Sequence, residues 1–213
     1  MSAEIPFPPP QLIETLRYSR DFGFARLDYH LARLKASSEF LGHQHDPEAV
    51  KAALAGAVKD TPHDHLRVRL EQTAKGLLAV TTAAYVPISP VAIWQAAIVP
   101  HRLDPDDALL AHKTTRRAFY DDGRVIAAGQ GADEAIFLNT RDEVCEGGIT
   151  SIFLPRGDVL LTPPLACGLL AGCLRAELLD SGAAREEVLK PEDLKAGFLL
   201  GNSLRGLIRA RLK

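Results

Sequence analysis

The sequence predicts an α+β protein of two domains, with mainly antiparallel sheets and flanking helices. Three observations carry this expectation. Helical and strand-like runs come in groups, without the strict strand–helix alternation of a parallel sheet. Residues 66–70 alternate leucine or valine with arginine, which marks a sheet wet on one face. Residues 100–110 are rich in proline and aspartate and read as an interdomain connection, dividing the chain into 1–107 and 108–213.

The elements follow in order. Residues 12–17 read as a short strand, with residues 22–27 as its hairpin partner across Ser19-Arg20-Asp21. Asp28 is placed as a helix N-cap; Leu31, Leu34, Ser38 and Leu41 then recur at helical spacing until Gly42. Asp46-Pro47 opens a second helix as N-cap and first helical residue, with Val50, Ala53, Leu54, Ala57 and Val58 as its apolar face. Three strands are expected at 66–70, 77–81 and 91–99. In the second half, residues 135–138, 151–154, 159–161 and 198–200 read as strands. A helix is expected at 174–179, closed by Gly182, with a helical turn at 192–195 and a final helix at 203–212.

Composition bounds the function. Of the 213 residues, 46% are hydrophobic, enough for a buried core, and 24% are charged, as in a folded chain. A net charge of -2 gives no broad electrostatic case for nucleic acid or an anionic membrane. The three cysteines, Cys145, Cys167 and Cys173, have no C-x-x-C spacing, so reduced thiols in a cytoplasmic protein fit better than a disulfide framework or zinc ribbon. Residues 1–10 are acidic and proline-rich, unlike a secretory signal, and no apolar run is long enough to span a membrane.

Three windows carry chemistry. Lys113 lies in His112-Lys113-Thr114-Thr115-Arg116-Arg117; an amine there could act as a covalent nucleophile if partly desolvated, or be a surface lysine at a helix start. Glu146, in Cys145-Glu146-Gly147-Gly148, could be a functional carboxylate or a solvated turn residue. Gly172-Cys173-Leu174-Arg175 opens a helix without a good side-chain cap, so its N–H groups would take a phosphate or be capped by water. An amine, a carboxylate and such a helix start are the parts needed to hold pyridoxal phosphate. The pairs His43/His45 and His63/His65 lack the further ligands of a metal site and read as solvated loop histidines; no metal is expected. Gly129-Gln130-Gly131 lacks the rest of a dinucleotide fingerprint.

Taken in order, these windows resemble the class IV, fold-type-IV pyridoxal phosphate enzymes, which include branched-chain and D-amino-acid aminotransferases and 4-amino-4-deoxychorismate lyase. The resemblance runs from residue 12 to 207. It rests on Leu27-Asp28-Tyr29-His30-Leu31-Ala32-Arg33-Leu34, on Lys113, on Glu146, on Thr162-Pro163-Pro164-Leu165 with its helix start, and on Gly201-Asn202-Ser203-Leu204-Arg205-Gly206. It implies that Lys113 bonds covalently to the cofactor and later moves protons, and that Glu146 pairs with the pyridine nitrogen. It implies phosphate contacts from Arg33, the backbone of Cys173 and Leu174, and Ser203, with Thr150 also in the cofactor set. Arg205 and Arg116, with Arg117, are weaker candidates for substrate carboxylates. There are departures. The first strand and turn are shortened. Ala118 stands where many aminotransferases have tyrosine, with Tyr120 two residues on, and Ser151 replaces a usual asparagine. The windows look most like the lyase branch, which implies formation of 4-aminobenzoate and pyruvate on the folate pathway by a cytoplasmic homodimer acting on a small molecule. An aminotransferase and a non-catalytic fold relative are the alternatives.

Overall fold

The structure, a computed structural model, describes residues 8–213. Most of the stretch read above as no secretory signal therefore lies outside the described residues. Two compact units form: residues up to Pro87 with His112–Arg116, and Ile88–Ala111 with Arg117–Lys213. This partition differs from the expected boundary at 107/108. Residues 88–107 belong with the second unit, and the lysine segment belongs with the first.

In the first unit, β1 (Leu12–Ser19), β2 (Gly23–Phe24), β3 (His65–Gln72) and β4 (Leu78–Ala84) make an antiparallel sheet in the order β2-β1-β3-β4. Along β3, Leu66, Val68 and Leu70 are buried and alternate with wetter Arg67, Arg69 and Glu71, as the period-two pattern requires. α1 (Leu27–Leu41) packs on β1, and α2 (Pro47–Val58) on β3 and β4. Asp46 caps α2 by accepting from the N–H groups of Glu48 and Ala49, and Gly42 ends α1 in the left-handed region at φ 67°. Asp28 is not the cap of α1. The chain turns through Arg26 at φ 58°, which puts Asp28 inside the first turn, where its charge alone favours the helix N-terminus.

The second unit holds β5 (Ile93–Leu103), α3 (Ala118–Gly129), β6 (Glu134–Asn139), β7 (Val144–Gly147), β8 (Ser151–Arg156), β9 (Val159–Thr162), α4 (Cys173–Asp180), β10 (Ala184–Glu186), β11 (Phe198–Asn202) and β12 (Gly206–Leu212). The sheet order is β10-β9-β8-β11-β12-β5-β6-β7, and β7 also pairs with β8 through Glu146 and Ser151. Six of these strands thus close on themselves, which removes two open edges. Pairs β12–β5, β5–β6 and β10–β9 are parallel; the others are antiparallel.

Two expectations are corrected in this unit. The supposed connection at 100–110 is in part strand: β5 runs through Pro100, which sits where the register with β6 slips between Ile98 and Arg102, a place that tolerates a missing donor. The supposed final helix at 203–212 is β12. Ile208 and Ala210 are buried while Leu207, Arg209 and Arg211 are wetter, a period of two that outweighs the helical propensity of leucine and arginine. α3, β7 and β10 were not anticipated. α3 buries Gly123 and Ala127 beneath β5 and β6.

Candidate active site

In the first unit, the Lys113 segment is held as an addition to β1. Ile13 N–H donates to the Lys113 carbonyl at 2.8 Å, Thr115 N–H donates to the Gln11 carbonyl at 2.9 Å, and Leu12 bridges Thr114. His112 is gripped by α1: Ser37 Oγ lies 2.9 Å from its Nδ1, and the Phe40 ring stacks on it at 4.2 Å. A half-buried Lys113 is therefore displayed from fixed backbone, between a short turn of helix and α3 rather than at a helix start. Arg116 is exposed.

Arg33 stands on α1 with its guanidinium forked onto Glu14 of β1: Nε donates to Oε1 at 2.9 Å and Nη2 to Oε2 at 2.6 Å. His30, one turn earlier, places Nδ1 2.6 Å from the same Oε2. Burial would raise the Glu14 carboxyl, but the Arg33 and His30 charges and hydrogen bonds overcome that and hold it at about 2. Glu14 thus stays ionised and fixes the orientation of Arg33.

In the second unit, Glu146 is not in a turn. It lies on β7, 5% exposed, opposite Phe137 and Ser151; Gly147 ends the strand and Gly148 begins the turn that follows. Tyr120 of α3 donates its hydroxyl to Glu146 Oε1 at 2.6 Å, and Arg117 Nη2 donates to the Gly148 carbonyl at 2.6 Å. Buried Glu134 of β6 accepts from Thr150 Oγ1 at 3.1 Å and from the Ile149 N–H at 3.3 Å. Burial pushes the Glu134 carboxyl above the usual range, against the pull of those donors. A Cβ on Gly147 would collide with Thr150 Oγ1, so the tight turn requires glycine there.

The same unit holds three of the expected phosphate residues, Cys173, Leu174 and Ser203, whereas Arg33 belongs to the first. α4 starts at Cys173 after Gly172, with no side-chain cap, and Cys173, Leu174 and Ser203 are buried. A Cβ on Gly172 would stand 2.7 Å from Ser151 Oγ, and one on Gly201 would stand 2.8 Å from Leu174 Cδ2. Asn202 donates to the Ile149 carbonyl at 3.0 Å and accepts from the Arg205 N–H at 2.8 Å, tying the Ser203 turn to the turn that follows β7. Arg205 lies over the Trp94 ring at 5.8 Å. The buried carboxylate and a helix start without a side-chain cap fit a ligand that joins an aromatic nitrogen to a phosphate.

Sequence reading missed Glu14, Glu134 and Asn202 as supporting residues, and weighed Tyr120 only as a departure. Each acts through residues distant in the chain, which no local window displays. His43, expected in a solvated loop, is 8% exposed, and both ring nitrogens lack a hydrogen-bond partner. The cysteines form no disulfide, and burial, then Glu143, pushes the Cys167 thiol up to about 11.

The class IV aminotransferase profile matches residues 11–212. This chain belongs to the class IV aminotransferase family. Members of this family are enzymes dependent on pyridoxal phosphate. Among relatives of this class IV chain, a Schizosaccharomyces pombe protein named as an inferred aminodeoxychorismate lyase is 30% identical, covering 94% of this chain and 89% of its own. The crystal structure of an inferred amino-acid aminotransferase from Mesorhizobium loti is 41% identical with a TM-score of 0.91, covering 95% of this chain and 99% of that one. An inferred 4-amino-4-deoxychorismate lyase from Legionella pneumophila shares the fold at a TM-score of 0.84 and 23% identity, covering 97% and 84%.

Proposed function

We propose that this family member is a pyridoxal-phosphate-dependent 4-amino-4-deoxychorismate lyase, giving 4-aminobenzoate and pyruvate in folate biosynthesis. The observation that carries it is the match to the Schizosaccharomyces pombe protein named for that activity, which spans nearly the whole of both chains. On this reading each residue takes a role. When bound, the cofactor supplies an aldehyde that takes up an amine and a ring that accepts electron density. Lys113 Nζ is assigned the covalent attachment and the movement of the proton on the substrate carbon bearing nitrogen. Glu146 is assigned to the ring nitrogen. Arg33, the N–H groups of Cys173 and Leu174, and Ser203 are assigned to the phosphate, and Thr150 to the cofactor set through the turn it closes. Arg205 and Arg116 are assigned to substrate carboxylates, whereas Arg117 is engaged with the Gly148 carbonyl. A cytoplasmic homodimer accompanies this reading; three buried cysteines outside any disulfide support reducing surroundings, and light scattering tests the dimer.

A second reading is favoured by the Mesorhizobium loti structure, whose name is that of an amino-acid aminotransferase. It uses the same lysine and glutamate and exchanges an amino for a keto group. Cofactor-loaded protein given aminodeoxychorismate should release 4-aminobenzoate and pyruvate, read by mass spectrometry. Conversion of the cofactor to pyridoxamine phosphate by amino acids, with stoichiometric keto acid and no 4-aminobenzoate, would establish the aminotransferase instead.

A further inference from the structure

The resemblance leads one to expect a tyrosine five residues after the lysine, close to the cofactor ring, and Ala118 stands there. Tyr120 has a different partner. From the first turn of α3 its hydroxyl reaches Glu146 Oε1 at 2.6 Å. The ring is fixed from two sides, edge-on to Phe137 at 5.1 Å and beneath the Arg117 guanidinium at 5.4 Å. Burial, then the adjoining Glu146 charge, raises the pKa of the phenol well above its usual value, so the hydroxyl keeps its proton and donates. Arg117 meanwhile holds the Gly148 carbonyl. One turn of helix therefore secures both the carboxylate and the backbone just beyond it.

We propose that Tyr120 is a positioning residue for Glu146, its hydroxyl fixing the orientation of the carboxylate and so setting how strongly Glu146 holds the cofactor ring nitrogen. This rests on the assignment of Glu146 made under Proposed function. A hydrogen bond donated to a carboxylate favours its ionised form and lowers its basicity. Removing the hydroxyl while keeping the ring frees the carboxylate to rotate away from the ring nitrogen, with the packing on Phe137 intact.

The test compares wild type, Tyr120→Phe, Glu146→Gln and the double variant as full-length protein. Pyridoxal phosphate affinity and the visible absorption maximum of the bound cofactor are measured in each. The expected result is that Tyr120→Phe weakens cofactor binding by about ten- to a hundredfold, as for loss of one hydrogen bond to a charged group, and shifts the absorption maximum. In the Glu146→Gln background the same change should move neither quantity. An equal cost of Tyr120→Phe in both backgrounds, or an unmoved absorption maximum, overturns the proposal and leaves Tyr120 as packing. Failure of the underlying assignment looks different: Glu146→Gln alone would then bind cofactor with wild-type affinity and spectrum.

Discussion

Glu14 is a buried acid whose environment decides its charge. Desolvation opposes ionisation, and only Arg33 and His30 reverse it, so its carboxyl titrates at about 2 instead of 4.5. A depressed folded-state value means that the stabilisation is complete above the unfolded value and is lost as pH falls from about 4.5 towards 2. It amounts to about 3 kcal/mol at neutral pH. Urea unfolding of Glu14→Gln at pH 7 should show a loss of about 3–5 kcal/mol, since Arg33 is left without its buried counterion, and this deficit should shrink when both proteins are measured near pH 3. His43 works in the opposite sense for a base. Burial lowers its pKa below 6.5, so the unfolded chain takes up a proton first and stability falls as pH drops below that value. Replacement by leucine should flatten the fall in melting temperature between pH 7 and 5; an unchanged pH profile would show that His43 contributes nothing to it.

At the scale of elements, α3 is held to the β5–β6 surface by a close approach that only glycine permits. A Cβ on Gly123 would run into the Phe137 ring, which is fully buried and also supports Tyr120. Gly123→Ala should therefore cost about 1–3 kcal/mol by overpacking, despite alanine's better helix propensity, and should also disturb the Tyr120 hydroxyl. Differential scanning calorimetry gives the first quantity and cofactor affinity the second. α2 offers a simpler case. Asp46 satisfies two orphan N–H groups, so Asp46→Ala should lower stability by about 1 kcal/mol without touching cofactor binding. Elements with this kind of local signal were legible: Asp46-Pro47, the alternation of β3 and the Gly42 stop all lie within a few residues of what they control. β12 was not, because leucine and arginine suit a helix and the neighbours that favour a strand, β5 and β11, lie elsewhere in the chain.

At the scale of the whole molecule, cofactor binding to the native state should raise the melting temperature, by about 3 kcal/mol of added stability at one hundred times the dissociation constant. Lys113→Ala should fold, retain most of the far-UV circular dichroism of wild type, and lose both the borohydride-trappable visible band and turnover. A trappable band surviving in that variant would remove Lys113 from its assigned role. The segment His112–Arg116 groups with the first unit although the chain on both sides of it groups with the second. Its backbone bonds to β1 explain why, since two segments far apart in sequence satisfy each other's N–H and C=O groups there.

What the sequence determined by itself is whatever is written in short-range chemistry: the mixed α+β character, most strands, the caps of α2 and α1's end, and the ordered lysine, glutamate and helix start that place the chain in its family. What only the tertiary structure decided is how those groups are held. Glu146 became a buried strand residue facing Tyr120, Arg33 became the partner of Glu14, and the terminal segment became a strand in a closed sheet. The physical reason is common to all three. Burial and hydrogen-bond partners come from residues dozens of positions away, and they set charge state and conformation more strongly than local propensity does.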